Sequence, residues 1–229
     1  MSKQYMAVQE VLTELRAMEN PRNREGMARF GINTESALGI KVTDLRKFAR
    51  SIQKDHNLAQ DLWESGIHEA RILATIVADH KRISREEIEE WARDFNSWDL
   101  VDQTCNNLIR KTEFAHDLAL EWSGREEEFI RRAGFSLMAV LAVHDKGVSD
   151  GVFENYLAII ETGAGDERNF VMKSVNWALR QIGKRNPDLG KKAVNCAERI
   201  REQETKNARW IASNALRELK KMNRKSQPG

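Results

Sequence analysis

The chain has 229 residues, 31% charged and 41% hydrophobic, with 13 Gly, 3 Pro, 2 Cys and 6 Trp, which excludes collagen-like, disordered and disulfide-stapled classes. At about 150 residues per domain this is one or two domains, long enough to bury a substantial core. Lys+Arg 37 against Asp+Glu 35 leaves a net charge of +2, so total charge does not by itself declare a nucleic-acid binder, and what matters is whether the cations gather on one face.

In chain order, residues 4–18 place Val8, Val11, Leu12, Leu15 and Met18 at helical spacing, and Asn20-Pro21 ends that segment. Gly31 to Gly39 reads as a loop, after which Thr43 and Asp44 are expected to cap a helix through about Gln53. Ser84 followed by Glu87 is a capping box opening a helix through Arg93. Ser97, Ser149 and Asp166 are further N-cap candidates. No stretch alternates with the period of a strand, so an all-α chain is expected. The longest apolar run, Leu137 to Val143, is too short to span a bilayer that needs about 20 residues, and the N-terminus has no signal-like apolar region. A cytoplasmic protein with Cys105 and Cys196 as free thiols is the expectation.

Internal similarity sharpens the fold class. HEARILATIVADHK from His68, EFIRRAGFSLMAVLAV from Glu128, ERNFVMKSVNWALRQIGKR from Glu167 and TKNARWIASNALRELKK from Thr205 each set a basic residue just inside an amphipathic helix: Arg71, Arg132, Lys173 and Arg209. The steps are 61, 41 and 36, and the first divides into 31 and 30 if Asp102 takes the missing slot. Such a period in helix pairs predicts an α-solenoid, a right-handed superhelical array over residues 1–221, followed by a disordered tail over 222–229.

Three helices carry candidate chemistry. From Phe170 to Arg185, Val171, Val175, Ala178 and Ile182 form one stripe at about 100° per residue, while Lys173, Trp177, Arg180 and Lys184 cluster opposite. Trp177 therefore sits with cations, either as an aromatic platform among phosphate-binding groups or packed against the next repeat. On the helix from Phe129, Arg132 falls opposite Ile130, Ala133, Leu137 and Leu141, with Arg131 flanking. In NSWDLVDQT, a helix capped by Ser97 projects Trp98 and Asp102 from one face. Asp99 reads as a partner for the helix dipole. Asp102 lies beyond the first turn and is either a functional carboxylate or half of an ion pair with Arg71 or Arg132. No P-loop, HExxH, GxSxG or Cys/His cluster is present, so neither a metal nor a nucleotide site is expected. Gly163-Ala164-Gly165-Asp166 reads as a turn between helices, and Trp63, Trp91, Trp122 and Trp210 as packing residues.

SWDLVD, EFIRRAGF and NFVMKSVNWALR, in this order and spacing, resemble the HEAT-like-repeat DNA alkylation repair proteins of the AlkD type, over most of the chain from ALGIKVTDLRKFAR to about residue 220. The resemblance implies a C-shaped array with a concave basic cleft around duplex DNA, and a glycosylase that removes N3- and N7-alkylated purines without metal or cofactor. It implies that Trp98 and Asp102 match the tryptophan and catalytic aspartate of the WD-x-x-D motif, and Trp177 the second tryptophan. Arg132, or alternatively Arg131, matches the functional arginine. Lys173 and Arg180 would flank as backbone contacts, with Arg71 and Lys184 on the same basic side. Relatives that bind damaged or branched DNA without excision, or a helical scaffold for protein partners, are the alternatives. The chain departs from the family pattern at Thr43, often Pro, and at Ser97, often aromatic.

Overall fold

A computed structural model describes residues 5–225, with side chains to residue 221. Among these residues there are thirteen α-helices, one 3-10 turn at Ile109–Lys111 and no strand. None of the helices is long and apolar enough to cross a membrane. The chain divides between Thr112 and Glu113 into two compact units.

The first unit holds α1 (Val8–Ala17), α2 (Pro21–Ala28), α3 (Val42–Ala49), α4 (His56–Glu64), α5 (His68–Val77), α6 (Arg85–Arg93) and α7 (Trp98–Asn107). Helices α3, α5 and α7 pack side by side as one row, with α4 against α5 behind it. The Trp63 and Trp91 rings stack at 4.2 Å between centroids and 6° between planes, joining α4 to α6. The capping box at Ser84 forms as expected. The helix expected from Thr43 or Asp44 instead starts at Val42 with Lys41 as N-cap and stops at Ala49. Asn20 does more than end α1, because its side chain accepts from Asn23 N and opens α2 with Pro21 at the first helical position.

The second unit holds α8 (Ala115–Ser123), α9 (Glu128–His144), α10 (Asp150–Gly163), α11 (Asn169–Gly183), α12 (Pro187–Glu202) and α13 (Lys206–Lys225). Here α9, α11 and α13 form one row and α8, α10 and α12 the other. Ser149 is the N-cap of α10, whereas Arg168 rather than Asp166 occupies that place for α11. The glycine-containing segment after α10 is the expected turn between helices. Helix α13 runs past the expected domain end at residue 221 to Lys225, and the remainder of the expected tail, 226–229, lies outside the described residues.

Two close approaches fix glycines. A Cβ on Gly134 of α9 would lie 2.3 Å from Ser123 N on α8, and one on Gly39 would lie 2.2 Å from the Asn20 carbonyl oxygen, at a residue whose φ is already +80°. Trp63, Trp91 and Trp122 are buried as expected, but Trp210 is 42% exposed on α13 and is not a core residue.

The repeat appears physically as polar links between neighbouring pairs. In the first unit His56 to Glu87, Trp91 to Gln60, Trp63 to Asp94 and His68 to Asp99 are each joined across 31 residues. In the second unit the corresponding steps are longer: 38 for Arg132 to Phe170 and for Arg180 to Glu218, 36 for Asn186 to Asp150.

Candidate nucleic-acid interface

The candidate residues all lie on the row α5, α7 of the first unit and the row α9, α11 of the second. Helix α7 begins at Trp98 because Ser97 is extended and buried at its N-cap, but the Ser97 hydroxyl does not cap the helix backbone. It donates instead to Asp99 Oδ1, while the other carboxylate oxygen of Asp99 lies 2.8 Å from His68 Nε2. His68 is 3% exposed and Asp99 9%. Burial disfavours the imidazolium, but the hydrogen bond to and charge of Asp99 outweigh it and hold His68 above its ordinary pKa. Burial likewise opposes ionisation of Asp99, yet the His68 and Ser97 hydrogen bonds keep its carboxyl below the usual carboxylate range. Asp99 is thus a buried ion-pair partner and not merely a counter-charge to the helix dipole.

Trp98, which precedes Asp99, and Asp102, three residues after it, are half-buried on α7, one helical turn apart. The Trp98 indole N–H donates to the Phe30 carbonyl at 3.0 Å, fastening the loop after α2 to the start of α7. Phe30 itself is 72% exposed. The same loop is held from below by Glu69, a fully buried carboxylate that accepts from the backbone N–H groups of Leu38, Gly39 and Ile40 at 2.7, 2.7 and 3.1 Å. Arg71, two residues further along α5, donates to Asp94 at 2.9 Å and to the Trp63 carbonyl, with its guanidinium 5.4 Å from the Trp63 ring centroid. It is therefore engaged inside the first unit's repeat contacts rather than standing as an open cation.

In the second unit Arg132 departs from the helical-wheel expectation. It is 5% exposed, and its Nη1 donates to the Phe170 carbonyl at 2.6 Å. The reason is the double contact of α9 with α8 and α11, which buries that helix on both flanks, so a residue opposite the apolar stripe is still covered. Arg131 keeps more exposure and pairs at 3.2 Å with Asp166, which also pairs with Arg168. On α11 the expected division holds: Val171, Val175, Ala178 and Ile182 are fully buried, Lys173 is exposed with its ammonium 6.0 Å from the Phe170 ring, and Trp177, Arg180 and Lys184 are half-buried. Arg180 and Lys184 both pair with Glu218 of α13. Among the described residues no group of three or more His, Cys, Asp or Glu side chains is placed to hold a metal ion.

Residues 11–219 match the profile of the family described as DNA alkylation repair enzyme. The chain belongs to the DNA alkylation repair family. The chain is also similar to uncharacterised proteins of Listeria innocua and Listeria monocytogenes, each 25% identical to this family member over 192 residues, covering 82% of this chain and 84% of theirs. A solved structure described as a new family of proteins related to the HEAT-like repeat DNA glycosylases, with affinity for branched DNA structures, superposes with a TM-score of 0.81. It is 21% identical and the match covers 96% of this chain and 95% of that one. This DNA alkylation repair family member therefore has the fold of the HEAT-like repeat glycosylase relatives. The sequence did not flag the His68–Asp99 pair, although the 31-residue repeat step places these two residues in equivalent positions of neighbouring repeats.

Proposed function

We propose that the protein binds duplex DNA and hydrolyses the N-glycosidic bond of N3- or N7-alkylated purines, with Asp102 as the catalytic carboxylate. The observation that carries this assignment is the contrast between two carboxylates of one helix. Asp99 is buried against His68 and Ser97, while Asp102, a turn from Trp98, is partly open to solvent. An alkylated purine is cationic and departs readily, leaving positive charge on the sugar. A fixed carboxylate stabilises that charge and orients a water toward the anomeric carbon. Trp98, a turn from Asp102, offers aromatic surface to the cationic nucleotide, an attraction of about 0.5–2 kcal/mol per pair, and Trp177 on α11 of the second unit is the second aromatic residue in this reading. Lys173, exposed on α11, and Arg131 supply phosphate contacts, with Arg132 holding α9 to α11 through the Phe170 carbonyl. Arg71, Arg180 and Lys184 contribute to DNA affinity only when their carboxylate partners are displaced.

The test is release of free methylated base from methylated duplex. Asp102→Asn is expected to lower the rate by about 10²–10³-fold, as loss of a preorganised electrostatic group does, while duplex affinity stays within a few-fold. Equal release by both proteins refutes the Asp102 assignment. No release by the native protein, together with salt-sensitive binding that favours branched over linear DNA, supports the second reading, a binder without excision. The description of the fold relative as having affinity for branched DNA favours that alternative.

A further inference from the structure

Helix α13 is strongly basic: its sequence KNARWIASNALRELKKMNRK holds seven Lys and Arg and a single acid, Glu218. That one carboxylate is directed at α11. Its Oε2 accepts from Arg180 Nη1 at 2.6 Å and its Oε1 pairs with Lys184 Nζ, all three side chains being a quarter to a third exposed. Burial opposes ionisation of Glu218, but the hydrogen bonds from Lys184 and Arg180 prevail and hold its carboxyl below the usual range. The clasp is incomplete on the arginine side. Arg180 Nε is buried and has no acceptor among the described residues, so the guanidinium grips Glu218 by one edge atom instead of the two-pronged fork that carboxylates and phosphates allow. Lys220 of α13 and Arg201 of α12 are both paired to Glu198.

We propose that Arg180 and Lys184 form a DNA phosphodiester site kept closed by Glu218, which occupies it as a stand-in anion and must swing away before the backbone can enter. This rests on the DNA-binding reading above. A phosphodiester group carries a full negative charge and, like the carboxylate, two free oxygens, so it can take the place of Glu218 on both cations. Displacement makes DNA binding at this point selective for a backbone that is correctly positioned, since a poorly placed phosphate does not dislodge the carboxylate. On the same argument, α13 can carry so many cations without Arg180 and Lys184 adding indiscriminate attraction to any polyanion.

The experiment measures affinity for a 25-base-pair duplex, at salt between about 50 and 200 mM, for the native chain, Glu218→Gln and Glu161→Gln. Glu161 is the comparison because it is also an ion-paired carboxylate of the second unit, bound to Arg199 on the other helix row. Glu218→Gln is expected to bind about ten-fold more tightly at the low end, with a plot of log K against log salt steeper by about 1 to 2, close to 0.9 for each cation released. Glu161→Gln should change neither by more than two-fold. Adding Arg180→Gln and Lys184→Gln to Glu218→Gln should abolish the gain. The proposal is overturned if Glu218→Gln binds no better than the native chain, or if Glu161→Gln gains as much. If the native chain shows no duplex binding at any salt, the DNA-binding reading falls and the proposal with it.

Discussion

Replacing Asp99 by Asn removes the charge from a pair that is almost wholly out of water, since His68 is 3% and Asp99 9% exposed. Breaking one side of a buried pair typically costs about 3–5 kcal/mol, because the remaining partner stays buried without compensation. The pH dependence carries a definite sign. His68 is held above its ordinary pKa, so its contribution is complete below the unfolded value of about 6.5 and is lost as pH rises through the folded value. Asp99 is held below its ordinary pKa, so its contribution is complete above about 3.9 and is lost as pH falls through the folded value. The pair therefore stabilises most between about pH 4 and 6.5. Urea unfolding followed by tryptophan fluorescence, with Trp63, Trp91 and Trp98 reporting on this unit, should show Asp99→Asn losing about 3 kcal/mol or more at pH 6 and distinctly less at pH 9. A loss below about 1 kcal/mol, or one that is the same at both pH values, refutes the assignment of a buried ionised pair.

Two further substitutions probe close contacts. Gly134→Ala should destabilise the second unit by about 3 kcal/mol, the upper end for overpacking, because the added methyl would meet α8 backbone at 2.3 Å rather than a movable side chain; thermal unfolding measures it. Glu69→Gln replaces an acceptor of three backbone N–H groups by an amide that must turn a donor toward them, with an expected cost of about 2–3 kcal/mol and faster protease cleavage in the loop between α2 and α3, read by limited proteolysis.

Much of the architecture was legible because helix signals are local. The capping box at Ser84, the start of α7 after Ser97 and the apolar stripe of α11 follow from neighbours within one or two turns. The repeat step was legible too, and with it the register that His68 and Asp99 share. Arg132 was misplaced because a helical wheel assumes one buried face, whereas α9 packs against α8 on one flank and α11 on the other. Asp99 was misread because its partner is distant in sequence and the dipole explanation already sufficed locally. Lys41 took the capping position expected for Thr43 or Asp44 since the chain turns into α3 as soon as the Glu69-bound loop ends at Ile40. The pairing of Arg180 and Lys184 with Glu218 was outside the reach of pattern reading, as it depends on which face α13 turns toward α11.

The shared step of 31 in the first unit has a consequence for how this part of the chain can vary. Four links, from His56, Gln60, Trp63 and His68 to their counterparts, behave like teeth of one rack. The four spans share only residues 68 to 87, so adding or removing a single residue inside a helix between His68 and Glu87 changes all four separations at once and turns the residues that follow on that helix by about 100°. Length changes in this unit are thus accommodated in loops, such as the one that carries Phe30, and substitution rather than insertion is the route by which the helices from His56 to Asp99 can diverge.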